Sequence, residues 1–168
     1  MGTKHIQKAV VQRNSGDVFT YPEAGGQSFK KGDLVYLDEG FVKAACSTTA
    51  GVTAPANILG VALVNAAGVT NSPVAVNVLN ENSLLEVNFI TGATHTSVGA
   101  TTFTALPTTQ MGLVKHSDGK FALSNSVTVN KNAIVVALHP GDPVGTVGGR
   151  VIVKIIPKYL QSIVDSTS

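Results

Sequence analysis

The residues of this chain that could do chemistry are few and scattered. Four histidines stand at positions 5, 95, 116 and 139, and Cys46 is the single cysteine. No two histidines share metal-ligand spacing on a helix or strand, and one cysteine completes no zinc pattern. His116-Ser117-Asp118 holds the residue types of a hydrolytic triad. Contiguous residues in a turn do not form the ordered chain of nucleophile, base and orienting acid that a triad needs, so this stretch reads as a hairpin turn. Asp38-Glu39 is an acidic pair, but adjacent carboxylates at a strand end point apart, whereas a glycosidase pair faces across a cleft. Gly145-Thr146-Val147-Gly148-Gly149-Arg150 is glycine-rich without the Lys-Ser/Thr ending of a phosphate loop, and it reads as a turn before a strand. Cys46, among Ala44, Ala45 and Ser47, reads as a small structural residue. The expectation is therefore no catalytic site, no cofactor and no metal, in a protein that is not an enzyme.

Elements that could position such residues follow from composition. Charged residues make up 13% of the 168 positions, about half the usual share. Val and Thr favour a pleated, half-buried surface, while 17 glycines and seven prolines supply turns. The net charge of +2 and the sparse aromatic residues argue against a nucleic-acid groove, which wants a basic stripe with stacking rings. No run of 18 apolar residues suggests a membrane span, and no apolar signal-peptide core opens the chain. All twelve Lys and Arg lie in residues 1–43 or 115–158, and between Ala44 and Val114 the formal charges are Glu81 and Glu86. Such a middle is either solvated by Thr, Asn and Ser or covered by another subunit, since interface cores are poor in charge.

Residues 1–28 read as an N-terminal arm in which Lys4, Lys8 and Arg13 alternate with Ile6, Val10 and Val11. The arm is either a strand tied to the main sheet or a segment that docks on a neighbour. A first β-unit is expected over 29–90. It opens with a hairpin, Leu34–Leu37 and Phe41–Ala44 around Asp38-Glu39-Gly40. The run Ile58–Leu63 reads as a strand buried on both faces, Val74–Leu79 alternates with a period of two, and Leu84–Ile90 is a further strand. A Thr-rich connection fills 91–110. A second β-unit and the C-terminal tail fill 111–168, with a short helical candidate from Lys158 to Val164. The fold class is thus all-β: a small barrel or sandwich with an N-terminal arm.

The second unit echoes the first. Leu34 and Gly40 find counterparts in Leu113 and Gly119, Ala62 in Ala137, and Val74 in Val151, in constant order and at nearly constant spacing, as duplication of one β-unit would give. A rival alignment sets Gly32-Asp33-Leu34-Val35 against Gly141-Asp142-Pro143-Val144, which places Val42 opposite Val151.

Phe29-Lys30-Lys31-Gly32-Asp33-Leu34-Val35, the turn Asp38-Glu39-Gly40 with Phe41-Val42, Asn57-Ile58-Leu59-Gly60-Val61-Ala62 after a small-residue loop, and Val74-Ala75-Val76 give the chain a further likeness. Over roughly residues 29–80 it resembles the head-decoration, or capsid cement, proteins of tailed bacteriophages. The resemblance implies a tulip-like barrel on the outer face of a virion capsid, made in the host cytoplasm. It implies a homo-oligomer, a trimer first, whose partner is the major capsid protein, with neither nucleic acid nor membrane involved. Lys4, Lys8 and Arg13 are the candidate capsid contacts. A receptor- or glycan-binding domain of a virion fibre is the alternative, against which the absence of Trp weighs.

Overall fold

The computed structural model describes residues 11–12, 17–45, 53–91, 94–95, 110–116, 119–142 and 145–161. Within these the chain is all-β. Its strands are β1 (Val11–Gln12), β2 (Val18–Pro22), β3 (Leu34–Asp38), β4 (Phe41–Ala44), β5 (Gly60–Ala62), β6 (Pro73–Val78), β7 (Leu85–Thr91), β8 (Thr94–His95), β9 (Gln110–Lys115), β10 (Phe121–Ser124), β11 (Ala133–Leu138) and β12 (Arg150–Ile155). The expected tail helix is, among the described residues, one 3-10 turn at Pro157–Tyr159. Three residues carry too few internal hydrogen bonds to go further without packing.

Two sheets form. The first runs β2-β6-β5-β3-β4, and a parallel bridge from Glu23 to Val42 joins its two ends. The second runs β7-β10-β9-β11-β12 and closes into a barrel because β12 also pairs with β7. Short strands β1 and β8 add to β7 outside this ring. Closing a sheet on itself removes the edges that would otherwise seek foreign strands.

The two sheets share one topology. Set β2 against β7, β3 against β9, β4 against β10, β5 against β11 and β6 against β12, and the strand order coincides. So does every strand direction, including the parallel contact of the first strand with the third. The registers then fix residue equivalence. Phe19 faces Val76 as Leu85 faces Val153. Gly60 faces Val78 as Ala133 faces Ile155. Val35 faces Gly60 as Met111 faces Ala133, and Leu37 faces Val42 as Leu113 faces Leu123. The circuit closes consistently, since Glu23 faces Val42 as Phe89 faces Leu123.

This equivalence keeps the Val74–Val151 match and excludes the alignment that set Val151 against Val42. It also moves Leu34 from Leu113 to Gln110. The cause is the hairpin turn. Asp38 faces Phe41 across a two-residue turn with positive φ at Glu39 and Gly40, while Lys115 and Phe121 are separated by a longer one. Turns of unequal length break constant spacing.

Each barrel has an apolar interior from alternate residues. Val35, Val42, Ala62, Val74 and Val76 fill the first with Phe29 and Leu59. Leu85, Val87, Phe89, Met111, Leu113, Leu123, Val135, Val151 and Val153 fill the second. Within residues 1–28, Val18–Pro22 is a full strand of the first barrel, paired to β6 along its length.

Gly60 sits where β5 and β6 pass closest. A Cβ there would lie 2.2 Å from the Asn77 carbonyl oxygen and 2.8 Å from a Val76 methyl. Backbone cannot yield as a side-chain tip can. Gly60→Ala is expected to destabilise the protein by about 1–3 kcal/mol or more, seen as a lower urea midpoint. An unchanged midpoint would contradict this close approach.

Candidate interaction surfaces

The chemistry-bearing residues resolve into structural roles. His116 is buried at the end of β9, and its backbone N–H donates to the Lys120 carbonyl across the hairpin. Asp38 pairs with Lys43 across the first hairpin, and that hydrogen bond raises the Lys43 pKa above its ordinary value. Both side chains are more than a third exposed, so the pair contributes little to stability. Glycine-rich Gly145–Gly149 is a turn leading into β12, closed by Gly149 N–H donating to the Thr146 carbonyl. Lys4, Lys8 and Arg13, and Cys46 with them, lie outside the described residues.

Among the described residues, Glu86, His139, Asp142 and Arg150 form one cluster of titratable groups. His139 Nε2 lies 2.7 Å from a Glu86 oxygen, and His139 Nδ1 accepts the Gly141 N–H at 3.0 Å. Both ring nitrogens are thus engaged within the cluster. Asp142 accepts from the backbone N–H, Nε and Nη2 of Arg150, which raises the arginine pKa further. The cluster ties the β11–β12 turn to β7. Among the described residues, no group of three or more His, Cys, Asp or Glu could hold a metal ion. No described helix is long and apolar enough to cross a membrane.

The most elaborate constellation is the joint between the barrels. Leu34, Ile58, Val61 and Leu79 point away from the interior of the first barrel and join the core cluster of the second, where Ile58 bridges to Leu160. Polar clamps surround this apolar contact. Asn132 Nδ2 donates to the Pro55 carbonyl while its Oδ1 accepts the Leu113 N–H. Asn130 Nδ2 donates to the Ala54 carbonyl, and Gln161 makes paired bonds to the Leu37 backbone. Lys115 Nζ of the second barrel lies 3.0 Å from Asp33 Oδ2 of the first, with side chains 9% and 5% exposed. Asp33 also accepts the Lys30 N–H, so its turn holds the carboxylate in place.

Sequence reading missed this ion pair. Lys115 carried one visible signal, a lone charge ending the apolar run Leu113-Val114. The uncharged middle of the chain finds a partial explanation, since Ile58, Val61, Leu79 and Leu85 all lie in the joint. No protein-family model matches the chain, and no curated protein matches its sequence.

Removing one member of a buried ion pair leaves the other charge dry and unpaired. Lys115→Met is expected to lower unfolding free energy by about 3–5 kcal/mol in chemical denaturation. The double variant with Asp33→Asn keeps an acceptor for Lys30 N–H and should recover most of that loss. A Lys115→Met protein as stable as the parent would show that the pair is not buried.

Proposed function

We propose that this chain is a structural protein of a virion, one that decorates and stabilises a capsid by bridging major capsid protein subunits. The observation that supports this reading best is the fixed pair of equivalent barrels. A shell repeats one subunit many times, and a protein that presents one scaffold twice is suited to touch two such subunits at once. Linking two modest contacts makes the second intramolecular, so avidity exceeds either affinity without new contacts. The joint serves this by fixing the span between the two contact sets, which cuts the ordering cost of binding.

The pattern shared with head-decoration proteins supports the same reading. In this role the chain works by surface burial, and its partner is the major capsid protein on the outer face of the particle. The arm with Lys4, Lys8 and Arg13 supplies a basic contact, and the charge-poor loops supply the apolar remainder.

Cosedimentation with shells of the major capsid protein encoded in the same genome tests the proposal. The protein is expected to pellet with shells at a fixed ratio and to raise their melting temperature. Because most of the attachment is apolar burial, binding should persist from about 0.1 M to about 1 M salt, where the Debye length falls from about 10 Å to about 3 Å. Failure to pellet at any salt overturns the proposal. Pelleting that collapses at high salt would show that charge holds the protein in place.

A further inference from the structure

Closure of the first barrel is incomplete along β2. In a strand the N–H and C=O of successive residues point to opposite edges. Val78 N–H donates to the Asp17 carbonyl and Glu23 N–H to the Ser72 carbonyl, so Asp17, Phe19, Tyr21 and Glu23 turn their backbone groups toward β6 and its entry. The residues between them turn theirs outward. Ala24 uses that outer edge, its N–H donating to the Val42 carbonyl of β4. Pro22 stands there with no N–H to offer. That leaves Val18 and Thr20, and among the described residues no strand pairs with their outer edge.

Side chains mark the same place. Asp17 to Thr20 are all exposed, and Val18 at 54% and Phe19 at 52% are two of the few large apolar side chains exposed among the described residues. The second barrel shows the same edge in use. There β1 lies antiparallel on β7, with Val11 opposite Glu86 and Gln12 opposite Leu85. By the registers above, Leu85 corresponds to Phe19 and Glu86 to Thr20. Leu85 is fully buried, whereas Phe19 is not.

We infer that a capsid subunit lends one extended segment to this edge, adding an antiparallel strand beside Val18–Thr20 of β2 as β1 adds one beside β7. The choice of occupant rests on the capsid reading above. The arm strand of a second copy does not serve, since β1 already lies on its own β7. Charge describes the segment that fits. Asp17 and Glu39 are exposed on this side, Glu39 in the turn before β4, which runs parallel beside β2. Lys43 of β4 is already bonded to Asp38. The segment therefore carries Lys or Arg at its ends and an apolar side chain opposite Phe19. Because Phe19 directs its backbone at β6, the residue facing it forms a non-hydrogen-bonded pair, in which side chains lie closest. Main-chain bonds to Val18 and Thr20 supply affinity, and the contact with Phe19 supplies register.

Cosedimentation with capsid shells tests the inference through Thr20→Pro. This change removes an outward N–H that no described strand uses, and β2 already holds proline at the next outward position, Pro22. The variant is expected to keep the parent's far-ultraviolet circular dichroism spectrum and to bind shells more weakly by about tenfold or more. Phe19→Lys should do the same, by removing the apolar contact and repelling a basic segment. Hydrogen exchange in the parent adds a pattern that general loss of structure would not give. The Val18 and Thr20 amides should exchange fast in the isolated protein and become protected on shells, while those of Phe19 and Tyr21, directed at β6, change little. A variant that keeps the parent spectrum and binds as the parent does overturns the inference and leaves the capsid reading standing. A parent that does not bind shells overturns that reading and the occupant with it. Val18 and Thr20 amides already protected in the isolated monomer would put another part of this chain on the edge, and protection that rises with protein concentration alone would put a second copy there. Either result overturns the inference. Should Thr20→Pro lose its spectrum, Phe19→Lys and exchange in the parent decide.

Discussion

The shape of this protein depends on one contact, the apolar joint that buries Leu34, Ile58, Val61 and Leu79 against the second barrel. These side chains point outward from their own barrel, so without the joint they would be an exposed apolar flank. The buried Asp33–Lys115 pair also links the two barrels. Its charges gain little net stability, because desolvation offsets most of the attraction. What the pair adds is discrimination: a shifted docking would strand a buried charge, which costs far more than a lost apolar contact. The clamps from Asn130, Asn132 and Gln161 add direction to a contact that hydrophobic burial alone leaves undirected.

Two equivalent barrels together secure what one alone would not. A five-stranded barrel of short strands buries too little surface to be secure alone, and two that share a core bury more per residue. The two barrels differ at equivalent positions. Gly60 admits close passage of β6, while its counterpart Ala133 carries the methyl. Glu23 is nearly fully buried and accepts the Ala67 and Gly68 N–H groups, so it pins the β5–β6 loop of the first barrel. Phe89 at the same place in the second barrel simply fills the core.

Much of this was legible in the sequence wherever one face of a strand meets the core and the other meets water. The alternation of Val74, Val76 and Val78 gave β6, and the Asp38-Glu39-Gly40 turn gave the first hairpin. Legibility failed where both faces are covered. Leu34 faces the joint and Leu113 faces a barrel interior, so both read as apolar, and the two strands were aligned three residues out of register. The run Ile58–Leu63 did announce burial on two sides, with Ala62 inward and Val61 in the joint. The ion pair was illegible because its partners come from opposite halves of the chain, and no local pattern connects Asp33 with Lys115.

The proposed bridging role rests on two barrels held at a fixed span. The central claim beneath that reading is that the two barrels share one core through the joint and are not two beads on a string. Differential scanning calorimetry tests it most directly. A shared core predicts a single transition whose calorimetric enthalpy equals its van't Hoff enthalpy. Two resolved transitions, or a calorimetric enthalpy about twice the van't Hoff value, would mean that the barrels unfold independently, and the account would be wrong.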